Sequence, residues 1–131
     1  MHRRGSPFRC PEYLLDSVRR ILVRGGDLDL ISEYFVVGLG GGFDVLPKHL
    51  SDPVDVTGSA KTFRVFVGRY RDLRVTAIAM GGGPPYAEWV AALASMKGVK
   101  ALVGVGWCGA LQEHISIGDV VVAKIVAFDR T

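Results

Sequence analysis

Three apolar runs of this chain stop in glycine clusters, and that repeated pattern limits the folds open to it. Tyr34-Phe-Val-Val37 runs into Gly38-Leu-Gly-Gly-Gly42, Arg74 to Met80 into Gly81-Gly-Gly-Pro-Pro85, and Lys100 to Val105 into Gly104-Val-Gly-Trp-Cys-Gly109. A short β-rich run that halts at glycine reads as a strand leaving its sheet by a tight turn. Such turns let backbone N–H groups approach an anion or ligand, and ligands of α/β sheets gather beyond the carboxyl ends of strands. A single turn of this kind serves chain reversal. Three in 131 residues point to a ligand cleft.

The rest of the chain fits around those strands. Residues 11–24 read as an amphipathic helix: Pro11 suits its first turn, Leu14, Leu15, Val18, Ile21 and Leu22 recur at helical spacing, and Gly25-Gly26 ends it. Residues 43–50 allow a short helix limited by Pro47. Phe63 to Tyr70 and Arg74 to Met80, joined at Arg71-Asp72, read as a hairpin. Tyr86 to Lys97 reads as an alanine-rich helix closed by Gly98, Lys100 to Val105 as a buried strand, and Val120 to Phe128 as a last strand. Strand, helix and strand over residues 74–105 imply a right-handed crossover between adjacent parallel strands, while the hairpin adds antiparallel pairing. The expected class is α/β, a mixed sheet flanked by helices.

Charge is unevenly placed. Residues 1–24 hold six arginines against Glu12 and Asp16, an excess of four, and the remainder sums to −1. Residues 1–32 therefore read as a basic arm with an amphipathic helix, and 33–131 as the main domain. No aromatic residues interleave a basic stripe, so nucleic-acid binding is not expected. Cys10 and Cys108 have neither disulfide nor zinc spacing, and His2, His49 and His114 have no partner at metal or triad spacing. No apolar run approaches the length of a membrane span. The expectation is a reduced, cytoplasmic protein with no metal and no membrane contact. Gly104 to Gly109 matches the letters of a dinucleotide fingerprint, but only about eight residues separate it from Gly118, too few for the crossover helix that such a site needs.

Taken with their spacing, the glycine segments resemble the purine nucleoside/uridine phosphorylase family. Thr76-Ala-Ile-Ala-Met-Gly-Gly-Gly-Pro-Pro85 resembles the family's strand and G-x-G-x-P-S turn. Gly104-Val-Gly-Trp-Cys-Gly-Ala-Leu-Gln112 and Ile117-Gly-Asp-Val-Val121 follow the order and spacing of R-[VI]-G-[ST]-x-G-A-[LIV]-Q and V-G-D-[LV]-V. Lys61-Thr-Phe63 and Gly68-Arg-Tyr-Arg71 stand where the family has R-E-F and G-x-Y-K/R, and Glu33-Tyr34 opens a looser match. The resemblance covers about residues 33–131, the family's N-terminal half.

It implies a reaction in which phosphate attacks C1′ of a nucleoside, giving ribose 1-phosphate and free base, with phosphate as co-substrate and no other cofactor. It also implies that Cys108 and Gly109 line the nucleoside, that Gly81 and Gly83 belong to the substrate-binding loop beside phosphate and ribose, and that Lys61 stands at a phosphate-binding arginine. Other positions depart from the family. Its segment-opening arginine is Gly104, its phosphate-binding hydroxyl is Trp107, and the arginine after the first glycine loop has no counterpart, since Phe43 or Asp44 occupies its place depending on the gap. Trp107 is expected to fill the phosphate's volume, so that Gly104→Arg with Trp107→Ser would tighten phosphate binding. The chain ends at Asp129-Arg-Thr131, about midway through the family's usual length, short of its ribose-holding glutamate and base-protonating acid. The expectations are therefore an incomplete phosphorylase-like domain and association with itself or a partner polypeptide. The alternatives are a nucleoside hydrolase-like enzyme and a non-catalytic nucleoside-binding or assembly subunit.

Overall fold

The computed structural model describes residues 11–125; Arg3, Arg4, Arg9 and Cys10 lie outside them. Helix α1 spans Glu12–Leu22. Asp16 takes Arg19 and Arg20 on its outward side at 2.6 and 2.9 Å, the spacing at which helix neighbours meet. Of the apolar stripe Leu22 is buried and Leu14 exposed, so α1 enters the core by its C-terminal end. The carbonyls of Arg20, Ile21 and Leu22 there accept the N–H groups of Ser59, Ala60 and Gly58 at 3.2, 3.2 and 3.0 Å. Helix-end carbonyls that would otherwise lack partners are thus satisfied by the segment leading into Lys61. The fit requires glycine at 58, where a methyl group would overlap the carbonyl oxygens of Arg20 and Ile21.

Five strands form one sheet: β1 Tyr34–Leu39, β2 Ser51–Asp55, β3 Phe63–Tyr70, β4 Leu73–Met80 and β5 Ala101–Gly106. Their order across the sheet is β2-β3-β4-β1-β5. β1 runs parallel to β4 and β5, and β3 runs antiparallel to β2 and β4. The mixed α/β sheet is the one the sequence implies. Helix α2, Pro84–Lys97, connects β4 to β5, and Gly98 closes it in the left-handed region.

Four details differ from the sequence reading. β4 and β5 are not neighbours, because β1 lies between them. That strand carries Phe35 and Val37, both buried, and the sheet centre shields them better than an edge would. β5, expected to be buried, is an edge strand with all six residues exposed. A continuous apolar run is compatible with either place. Val120–Ile125 is not a strand, and 126–128 lie outside the described residues. An apolar run pairs only where a neighbouring strand offers hydrogen bonds. Conversely, β2 has no apolar alternation to announce it. It is exposed throughout, carries Pro53 and a register shift between Ser51 and Val54, and forms because β3 offers an open edge.

The core lies between the helices and one face of the sheet. Phe35 and Val37 of β1, Phe63 and Val65 of β3, and Ile78 and Met80 of β4 meet Val90 and Leu93 of α2. The alternation in each strand puts these residues on one face. Leu22, Val23 and Ile31 belong to the same cluster, so the residues before β1 share the core of those after it. Phe63 stacks on Trp89 at 6.1 Å and meets Tyr86 edge-on at 5.3 Å. The buried hydroxyls of Ser32 and Thr76 bond each other at 2.9 Å, and Thr76 also accepts the Ser32 N–H at 2.8 Å. This pairing offsets the cost of burying them.

Candidate functional site

A cavity of about 270 Å³ opens where β1 and β4 end. Its wall is made by Gly40, Gly41, Gly42, Phe43 and Asp44 after β1, by Ala79, Met80 and Gly81 at the end of β4, and by Lys61, Thr62 and Arg64 at the start of β3. This is the carboxyl end of the parallel strands, where α/β sheets collect ligands. Two cations face one carboxylate among the lining side chains, which favours an anion. Lys61 forms no ion pair among the described residues. Arg64 reaches Asp55 only at 3.7 Å and lies 5.2 Å from the centre of the Phe66 ring.

The glycine loop is shaped by one close approach. Phe43 folds back over β1 and is 7% exposed. Its ring rests on Gly38, where a methyl group would overlap the Phe43 Cβ and Cγ. Residues 43–49 then continue as a 3₁₀ turn through Pro47. Glycines 40–42 consequently put bare backbone against the cavity.

Helix α2 contributes little to this wall. Its first two positions are Pro84 and Pro85, which lack N–H groups, and the Tyr86 N–H is bound to the Gly83 carbonyl at 3.1 Å. The groups of this wall suited to an anion are Lys61, Arg64 and loop backbone rather than a helix N-terminus.

Of the residues that the sequence singles out, Lys61 and Gly81 line the cavity together. Gly83 is instead the N-cap of α2, and Cys108 and Gly109 lie exposed after β5, outside the lining. Trp107 is neither inside the cavity nor packed in a core. It is 77% exposed, stacks on Phe43 at 5.3 Å, and donates its indole N–H to the Gly41 carbonyl at 3.0 Å. Sequence reasoning missed Arg64, and it noted Phe43 only as one of two residues at the place of a family arginine. Arg64 falls at an outward position of β3 and looks like any solvated strand residue, and Phe43 looks like one more apolar residue of a loop.

Asp55 stands beside Arg64 at the rim of the cavity. Its carboxylate accepts the Thr57 N–H at 2.9 Å, and its carbonyl accepts the Arg24 guanidinium. Burial alone would raise its pKa. Hydrogen bonding from Thr57, with Arg64 and Arg24 nearby, outweighs that and holds it below the ordinary value. The stabilisation is complete above the usual carboxylate range and is lost as pH falls through the lowered pKa. Asp55→Asn should therefore reduce the slope of thermal midpoint against pH below about pH 4. Parallel acid limbs for the two proteins would show that Asp55 carries none of that dependence.

The chain is similar to known proteins in sequence and in fold. The sequence model of the Phosphorylase superfamily matches residues 34–131. A purine nucleoside phosphorylase DeoD-type of Alkaliphilus metalliredigens (strain QYMF) is 40% identical over 65 residues, 49% of this chain and 28% of that protein. One of Buchnera aphidicola subsp. Baizongia pistaciae is 29% identical over 79 residues, 60% of this chain and 33% of that protein. In fold the chain is similar to uridine phosphorylase from Vibrio fischeri ES114, with a TM-score of 0.63 at 24% identity, covering 71% of this chain and 39% of that one. The chain thus spans a third or less of the length of these curated relatives. Among the described residues no helix is long and apolar enough to cross a membrane.

Proposed function

Because the chain belongs to the phosphorylase superfamily, we propose that its glycine-walled cavity is the anion side of a nucleoside phosphorylase cleft. The observation that carries this reading is Lys61 and Arg64 beside bare glycine backbone at the carboxyl ends of β1 and β4. In the reaction a phosphate oxygen forms a bond to C1′ as the bond from C1′ to the base nitrogen breaks. The bonding pair leaves with the base, which takes up a proton, and the sugar leaves as ribose 1-phosphate. Lys61 and Arg64 hold the phosphate and balance its charge as the ribosyl group becomes cationic. Lysine serves as a point charge and lacks the fork of arginine, so phosphate is held weakly, no better than millimolar. Gly81 closes the phosphate side, Gly83 lies on the turn beyond it, and Cys108 and Gly109 face the nucleoside.

A non-catalytic nucleoside-binding or assembly role is the second reading, favoured by the exposed apolar edge strand β5, where Leu102, Val103 and Val105 meet solvent. A second copy or a partner polypeptide would cover that edge.

Calorimetric titration of the 131-residue protein with inosine, adenosine and uridine, with and without phosphate, separates the readings. The proposal expects nucleoside binding that strengthens when phosphate is present. Binding indifferent to phosphate would favour hydrolase-like chemistry with water as nucleophile. No nucleoside binding in a folded sample would leave the assembly role.

A further inference from the structure

Trp107 holds the glycine loop at a point where the sheet can no longer do so. The β1–β5 ladder ends at the pair Leu39 and Gly106. One residue later on the β5 side comes Trp107, and two residues later on the β1 side comes Gly41. The indole N–H takes the Gly41 carbonyl at 3.0 Å, continuing the zipper by a side chain after the backbone pairing has stopped. The same ring lies on Phe43 with an interplanar angle of 23°, and Phe43 rests on Gly38. Gly38, Phe43 and Trp107 thus form three layers, and the loop residues Gly40 to Gly42 connect the first two in sequence. Gly40 and Gly42 sit at φ 106° and 89°, a backbone with few side-chain contacts of its own to fix it.

We propose that Trp107 is a positioning residue, a latch that holds Gly40–Phe43 in the shape that walls the anion cavity. Trp107 is 77% exposed, so its release gives up little burial beyond the ring face it lays on Phe43. It acts by keeping the loop in its binding-competent form, and ligand affinity falls in proportion to the fraction of time that form is lost. This role is opposite to obstruction. A tryptophan that filled the phosphate's place would weaken binding by its presence, whereas a latch weakens it by removal. Its bearing on affinity rests on the anion reading of the cavity, but its bearing on the loop does not.

The test compares wild type, Trp107→Phe and Trp107→Ala. Phenylalanine keeps the stack on Phe43 and loses the N–H donor; alanine loses both. Backbone amide order parameters of residues 40–44 in the absence of ligand read the latch. Inorganic phosphate titrated against amide chemical shifts reads its consequence. The population of the released loop should rise about fivefold in Trp107→Phe and about twentyfold in Trp107→Ala, on the scale of one hydrogen bond and one aromatic stack, lowering the order parameters in that sequence with the thermal midpoint little changed. Phosphate affinity should fall in the same order. Unchanged order parameters at 40–44 in a folded Trp107→Ala protein overturn the latch, and so does tighter phosphate binding in that variant. If wild type shows no saturable shift with phosphate, the anion reading fails, and the order parameters alone support or overturn the latch.

Discussion

Replacing Gly38 by valine is expected to lower stability by about 3 kcal/mol, on the order of 10 °C in thermal midpoint for a chain this size. The cause is local. Phe43 lies against Gly38 so closely that even a methyl group overlaps its ring carbon. β1 is an interior strand, paired with β4 through Ala79 and with β5 through Val105 at this position, and it cannot shift to make room. Phe43 must leave, exposing apolar surface whose burial is worth about 1.5–3 kcal/mol, or the strand must strain. Phe43→Ala removes the obstacle, so Gly38→Val should cost much less in that background. A double-mutant cycle measures the difference. Additive effects of the two substitutions would mean that the Gly38 requirement lies elsewhere in the sheet.

Gly104→Arg is expected to tighten phosphate binding about ten- to a hundredfold, the worth of one added charged contact of roughly 1.5–3 kcal/mol. A side chain at 104 would start 3.3 Å from Leu39 Cδ1, beside the last residue of β1 and next to the glycine loop. Leu39 is partly exposed and meets the newcomer with the flexible end of its side chain, so the space can be made at low cost. Residue 104 pairs with Val37 and starts on the face of the sheet opposite Arg64, so the arginine must extend past Leu39 and over the end of β1 to bring its two-pronged guanidinium to the anion. Trp107 is retained in this variant, since its ring lies on Phe43 and outside the cavity lining. Gly104→Gln controls for bulk, and the gain should shrink as salt is raised. A folded Gly104→Arg protein with unaltered phosphate affinity would remove residue 104 from the site.

What was legible in the sequence was local. The β3–β4 hairpin follows from alternation and a two-residue reversal at Arg71 and Asp72, and α2 follows from alanines between paired prolines and Gly98. The glycine-ended runs do mark strands that finish at one end of the sheet. Strand order was not legible, because placing β1 between β4 and β5 is decided by which run gains most from burial on both sides. β2 was invisible since its hydrogen bonds, not its side chains, recommend it. Lys61 and Gly81 carried a sequence signal and meet in the cavity. Trp107 was noticed, but its partner Gly41 is 66 residues away, and no local rule places an indole on a loop so far upstream. Arg64 gave no signal at all, since a charged residue at an outward strand position is the commonest arrangement.

The segment 58–60 joins two regions that share no ligand. Its N–H groups hold the last carbonyls of α1, and its chain delivers Lys61 to the cavity wall two residues before β3 begins. Under the proposed anion reading the two are coupled, and coupling is reciprocal: what frays the end of α1 is expected to loosen the grip on an anion, and an anion in the cavity to steady the end of α1 by the same factor. Substitutions along a helix that never touches the ligand can therefore set affinity without altering a single contact to it. The amides at the close of α1 become a remote gauge of occupancy.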